Sequence, residues 1–405
     1  MPTNPSAHTM TPIYWMALGT FAIGTEGFMI APLLPRLAGD LSVSVAAAGQ
    51  LVTVFALTYA VSSPILTALT GALNRRRLLV LSMIGFALAN VFAFVAKDYW
   101  TLMAARLLLA VAAGLYVPNA NALAGALVGP ERRGAALAIV SGGTTIAVAL
   151  GVPLGSIIGA NFGWRAMFAG VGVLALIATL GLLAGLARDV GSKLPVTGLS
   201  ERLGVIGQPA ILRTLLVTTP WATGAYTVYT YIASLLYATA GIEGPYLSAV
   251  LFVWGLSAAA GVFAGGTLTD KHGPGPVIAL ALLFLALAFA SLSISATLLT
   301  KALAIGPVLV AIVIWGLSAW AFFPAQQTRL IGIAGISVAP IVLSLNASFM
   351  FLGFSLGAAL GSLTLTYAAP SALGWVGGLC VLASLLLSIR TMRTTAAMPE
   401  AVLQQ

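Results

Sequence analysis

Charge is scarce in this chain. Of its 405 residues only 7% are charged, nine are acidic, and no acid lies between Asp40 and Asp98. A soluble domain carries about 25% charged residues. Here 60% of residues are hydrophobic, which leaves too little polar surface to face water on all sides. A water-soluble globular protein is excluded, and a polytopic membrane protein is expected. Cysteine is almost absent: Cys380 stands alone, so no intramolecular disulfide can form. The two histidines, His8 and His272, lie outside the apolar stretches, and no metal site is expected. No nucleotide-binding loop or nucleophile–base pair is visible, so neither an enzyme nor a cofactor is expected. No sizeable soluble domain is visible either, which argues against a transport-dead sensor or scaffold. The net charge is +9, but the basic residues are scattered singly or in short runs. They read as topology signals rather than as a nucleic-acid surface. The first twelve residues lack Lys and Arg, and no small-residue cleavage site follows the first apolar stretch. A cleaved signal peptide is therefore not expected.

What is present is a series of long apolar runs. A membrane helix needs roughly 20 apolar residues. Twelve segments qualify, at about 13–37, 46–70, 78–96, 100–124, 134–159, 164–187, 210–237, 246–268, 275–297, 302–326, 338–366 and 370–390. With the N-terminus inside, the inner loops and tail hold 13 Lys and Arg and the outer loops hold 4. This asymmetry places both termini in the cytoplasm and supports an even number of spans. The expectation is an all-α integral membrane protein with twelve transmembrane helices.

The spans divide into two similar sets. YVPNANAL begins at Tyr116 and FFPAQQTRL at Phe322, which sets Pro118 and Pro324 206 residues apart. GVPLGS at Gly151 and GAALGS at Gly357 share the same offset of 206. A six-helix unit duplicated in parallel is expected, with a substrate site near the midplane between the halves. The longest polar stretch, RDVGSKLPVTGLSERLGVIGQP at 188–209, is the natural linker. The expected domains are an N-terminal bundle at 1–187, a cytoplasmic linker at 188–209 and a C-terminal bundle at 210–405.

The loop after span eight reads GGTLTDKHG, placing Gly266, Asp270, Lys271 and Gly273 in a G-x-x-x-D-K/R-x-G spacing. The glycine is expected to let helices approach closely, and the acid to lock the cytoplasmic side. The corresponding first-half loop, GALNRRRLL, keeps Arg75, Arg76 and Arg77 but has no acid. In span five Gly151, Gly155 and Gly159 recur every four residues, a stripe for close packing, and Pro153 can bend the helix. Span eleven repeats the stripe with Gly353, Gly357 and Gly361.

Only two formal charges fall well inside spans, Glu26 and Arg106. At a helix centre each costs about 2.5 to 3.5 kcal/mol on insertion scales. Apolar surroundings make a carboxyl harder to ionise and a nearby guanidinium makes it easier. A carboxyl under both influences is suited to exchange a proton. At 1.5 Å per residue, the depths of the two residues differ by roughly 6 Å, within reach of long side chains. Whether they pair is left open, because sequence does not set lateral distance.

GTEGFMIAPLLPRLAGDL from Gly24, Arg106, GVPLG from Gly151 and GWRAMF at 163–168, with the Asp270 loop, the twelve spans and the repeat, resemble the major facilitator superfamily. The likeness covers essentially the whole chain. It is greatest to the drug/proton antiporter branch that includes sugar-efflux and arabinose-efflux-like transporters. The resemblance implies two pseudo-two-fold-related six-helix bundles, alternating access, and export driven by inward proton flow. It implies an antiporter motif and hinge at Gly151, Pro153 and Gly155, and a cytoplasmic gate at Arg75, Arg76, Arg77, Gly266, Asp270 and Lys271. The expected location is the bacterial inner (plasma) membrane, with a monomer as the expected state. Two departures are the missing acid in the first loop and Leu109 and Ala110 after Arg106, in place of a more usual polar residue and glycine. In spans that line the cavity of this family stand Phe55, Tyr59, Tyr226, Tyr229, Trp315, Asn346, Phe349 and Met350. A mostly apolar pocket with few polar groups suits amphipathic drugs. The function expected is proton-coupled efflux of small amphipathic molecules through Glu26 and Arg106. Alternatives are export of a natural metabolite such as a sugar or nucleoside, or symport or uniport.

Overall fold

The structure, a computed structural model, describes residues 10–70, 73–187, 199–335 and 338–396. The linker residues 188–198 lie outside the described residues. Eleven helices among those described are long and apolar enough to cross a membrane. Spans one to six are Thr11–Asp40, Val45–Leu69, Arg75–Phe94, Tyr99–Leu127, Arg133–Phe162 and Trp164–Gly185. Spans eight to eleven are Gly244–His272, Pro274–Leu298, Lys301–Ala334 and Ala339–Tyr367, and span twelve begins at Ala372. Span seven is the remaining segment and is split into Pro209–Tyr229 and Ile232–Ala240. The even pattern read from the apolar runs is therefore present, but span seven is not the continuous helix expected over 210–237.

Local chemistry explains several boundaries. Asn74 caps span three by accepting from the Arg77 N–H at 3.1 Å. Asp98 caps span four, accepting from the Thr101 N–H at 2.9 Å and the Thr101 hydroxyl at 2.8 Å. Such caps satisfy donors that have no partner within the helix. Span one is α-helical from Thr11 to Met29, turns as a 3-10 helix over Ala31–Leu33, and resumes at Leu34. Pro32 and Pro35 sit at the starts of the second and third pieces, where a missing N–H is harmless. Spans five and six, and spans eight and nine, join through single glycines. Gly163 has φ +84° and Gly273 has φ +79°, a left-handed conformation that glycine adopts without a Cβ clash.

The chain forms two compact units, residues 1–44 with 54–199, and 45–53 with 200–405. In the first, span one packs on spans five and six, and span three on spans four and six. In the second, span seven packs on spans eleven and twelve, and span nine on spans ten and twelve. The same pairings recur six helices apart, as the 206-residue repeat requires. Apolar side chains such as Leu81, Leu88, Phe263 and Leu298 stay exposed on outward helix faces, as bilayer-facing surfaces do.

Candidate functional site

Glu26 lies three residues before the end of the first helix of span one. Arg106 lies in span four, and the relative exposure of both residues is 0%. The two form a direct ion pair, Arg106 Nη1 to Glu26 Oε1. The question left open by sequence is answered: these side chains meet. The Phe55 ring lies 4.2 Å from the Arg106 guanidinium carbon. The second carboxylate oxygen, Glu26 Oε2, is buried without a hydrogen-bond partner among the described residues. A buried charge survives only when paired and hydrogen-bonded. Here each charge answers the other, and one acceptor oxygen is left over.

The glycines of span five bring that helix against span one. A Cβ on Gly151 would collide with the Thr25 side chain, and one on Gly24 would come within 2.9 Å of the Ala147 Cβ. A Cβ on Gly155 would lie 3.0 Å from Met167 and 3.1 Å from Met29. Thr20 adds a hydroxyl bond to the Val140 carbonyl at 2.5 Å. The helix is also irregular here. Ala147–Gly151 is a π-turn, in which the Val152 N–H donates to the Ala147 carbonyl five residues back. The next donor in the series would be Pro153, which has no N–H. A single π-turn inside an α-helix often marks a functional position, and this one faces Thr25, next to Glu26.

The GWRAMF motif holds the outer end of the first unit. Trp164 Nε1 donates to Asp40 at 2.9 Å. Arg165 donates to the Ala96 carbonyl at 3.2 and 2.9 Å, and its guanidinium lies 4.1 Å from the Trp164 ring. Arg36 donates to the carbonyls of Gly159 and Ala160 at 2.8 and 2.6 Å, where the last carbonyls of span five lack intrahelical donors.

The other residues singled out from sequence fall in several places. Tyr59 is buried in span two and hydrogen-bonds Ser63. Arg75 donates to Asn119 at 2.6 Å and Arg76 to the Leu183 carbonyl at 2.9 Å, so two of the three arginines stand at the start of span three, not in the loop, and tie that helix to spans four and six. Asp270 and Lys271 are exposed at the end of span eight. Gly266 makes no close approach, because a Cβ there would meet nothing within 4 Å. The close approach belongs to Gly261 and Gly265, where a Cβ would strike the backbone of Leu317 and Ala321 in span ten.

In the second unit Tyr226 stacks on Phe354 with centroids 3.6 Å apart. Tyr229 stacks on Trp254 at 4.9 Å and meets Trp315 edge-on at 6.4 Å. Trp315 also meets Phe289 at 5.1 Å, so Tyr229 and Trp315 belong to one buried ring cluster. Asn346 accepts from the Thr218 hydroxyl at 2.7 Å. Gln326 Nε2 donates to the Thr214 carbonyl at 2.7 Å and to Thr218 Oγ1 at 3.1 Å. Phe349 and Met350 are half-buried on span eleven. Gln326, Thr218 and the stacked pair Trp221–Phe322, 4.5 Å apart, were missed from sequence. Gln326 and Phe322 were in view within FFPAQQTRL, but no sequence pattern shows which of its polar groups turn inward.

Comparison with known proteins agrees with this architecture. The model of the Major Facilitator Superfamily matches residues 16–358. The MFS-type transporter YbcL of Bacillus subtilis is 33% identical over 93% of this chain and 94% of its own length. The chloramphenicol resistance protein of Streptomyces lividans is 31% identical over 96% and 99%. The inner membrane transport protein YdhP of Escherichia coli K12 is 30% identical over 86% and 87%. Among solved structures, a bacterial homologue of the human lysosomal transporter Spinster superposes with a TM-score of 0.72 at 18% identity, covering 96% of each chain. The human organic anion transporter MFSD10 gives 0.69 at 16% identity, over 95% of this chain and 100% of its own. At these identities the superpositions speak for the fold alone. The protein is a multi-pass transporter of the bacterial inner membrane, and it belongs to the major facilitator superfamily.

Proposed function

We propose that this transporter exports small amphipathic molecules in exchange for inward-moving protons, with Glu26 as the proton carrier and Arg106 as its counter-charge. The observation that carries the reading is the fully buried Glu26–Arg106 pair. A permanent structural pair is worth little to stability against an apolar substitute, whereas a membrane-embedded carboxylate has a use as a proton site. Substrate arriving from the cytoplasm favours proton loss, and protons from outside favour substrate release. The likeness to a chloramphenicol resistance protein supports a drug-like substrate. A second reading, export of a polar metabolite such as a sugar or nucleoside, is favoured by the buried Gln326–Thr218–Asn346 network.

The test is transport in proteoliposomes under an imposed pH gradient, with chloramphenicol, a cationic dye and a labelled sugar as probes. Glu26→Gln retains an acceptor for Arg106 and should fold, yet lose gradient-driven export. Full export by that variant would sink the proton-exchange reading. Transport of the sugar alone would select the second one.

A further inference from the structure

We propose that Tyr231 is a releasable clamp on the outer end of span two, an inference that rests on the chain being a transporter and not on what drives it. Span two runs from Val45 to Leu69. Its opening segment, Val45–Thr53, packs with the second unit, while the rest of the helix packs with the first. Tyr231 follows the break in span seven, where φ −113° and ψ 25° take the chain off the helical line, and it is 1% exposed. Its ring stands in a slot between two glycines. A Cβ on Gly49 of span two would overlap the hydroxyl and one edge of the ring. A Cβ on Gly361 of span eleven would run into the opposite edge. The Tyr231 hydroxyl donates to the Ala358 carbonyl of span eleven at 2.9 Å. Two serines of span eleven complete the grip: the Ser362 hydroxyl donates to the Ala46 carbonyl at 2.9 Å and the Ser355 hydroxyl to the Thr53 carbonyl at 3.0 Å.

The chemistry of this grip makes it reversible. To these contacts span two gives only a glycine and main-chain carbonyls. A carbonyl within a helix has two lone pairs, so it keeps its helical bond when a side-chain hydroxyl leaves. A helical serine can turn its hydroxyl back to the carbonyl four residues earlier. For Ser362 that carbonyl is Ala358, the acceptor that Tyr231 vacates, so one bond replaces the other. Release therefore strands no buried charge and no backbone group. Other joints of the second unit are backbone against backbone, as where Gly261 and Gly265 meet Leu317 and Ala321. No side chain can withdraw from those, whereas a ring in a slot can. A carrier that exposes its site to each side in turn needs a joint of the second kind.

The test uses the full-length protein. Cys380→Ala removes the single native thiol, and Ser362→Cys then places a thiol in the seam itself. An impermeant thiosulfonate reagent added to intact cells should label it slowly. Labelling should become about fivefold faster with Tyr231→Phe, which removes one hydrogen bond and keeps the ring, while thermal unfolding in detergent stays unchanged. Gly49→Ala, which displaces the ring, should act in the same direction. If Tyr231→Phe does not fold, Ser355→Ala makes the same comparison. Conversely, Ala46→Cys and Ser362→Cys joined as a disulfide should stop chloramphenicol export from proteoliposomes, and a reductant should restore it. Equal labelling with and without the Tyr231 hydroxyl overturns the proposal, as does full export by the disulfide-linked protein. If the unlinked protein exports no chloramphenicol, the drug-export reading fails and the labelling still decides the clamp.

Discussion

Asp98 shows at the scale of one residue how a charge outside the membrane serves a helix within it. The Thr101 N–H, and then the Thr101 hydroxyl, hold its carboxyl below the usual carboxylate range. A carboxyl bound more tightly as the anion in the folded protein stabilises it above the unfolded value, and that contribution is lost as pH falls through the folded value. The protection factor of the Thr101 amide, the intrinsic exchange rate at a given pH divided by the observed one, should therefore be high at neutral pH and fall in acid. Asp98→Asn, whose side chain caps without a charge, should show a smaller dependence on pH. Glu26 is the opposite case. Among the described residues it is the one acid placed out of reach of water, and its partner arrives from a helix 80 residues away. The identities of Glu26 and Arg106 were legible because charge in an apolar run is conspicuous. Their contact, and the Phe55 ring against Arg106, required the lateral packing of three helices.

At the scale of elements, the glycines separate into those that allow a contact and those that do not. Gly265→Ala should destabilise by about 1–3 kcal/mol, as overpacking does, because the blocking atoms are the backbone of Ala321. Gly266→Ala should stay within about 0.5 kcal/mol, since the added methyl meets nothing. Thermal unfolding in detergent separates the two. At Gly151 the obstruction is the Thr25 side chain, which can be removed. Gly151→Ala alone should be destabilising, and Thr25→Ala should recover part of the loss, giving a measurable coupling in a double-mutant cycle. The stripe at Gly151, Gly155 and Gly159 was visible as a period of four. The π-turn ahead of Pro153 was not, because proline announces a missing donor but not how the helix adjusts around it. The break in span seven after Tyr229 carries no glycine or proline. It places the Tyr231 hydroxyl on the Ala358 carbonyl at 2.9 Å, a partner from span eleven.

For the molecule as a whole, sidedness can be tested directly. Cys380 is the single native thiol, so in a Cys380→Ala background an impermeant thiol reagent added to intact cells should label Lys97→Cys. It should label Arg132→Cys only after the membrane is opened. Labelling of both from outside would break the arrangement of spans. The span count, the sidedness, the repeat and the two intramembrane charges were all set by the linear chain. A bilayer acts on each segment separately: it demands about 20 apolar residues, repels charge and sorts Lys and Arg to one face. Those rules need no knowledge of neighbours. Tertiary structure alone decided that Glu26 and Arg106 touch, that the Phe55 ring lies against Arg106, that Gly265 rather than Gly266 admits span ten, and that Tyr229 and Trp315 share one ring cluster. Between membrane helices the lipid offers no hydrophobic drive for association, so contacts follow from steric fit and hydrogen bonding between particular side chains. That fit is a property of pairs of helices, and no single stretch of sequence contains it.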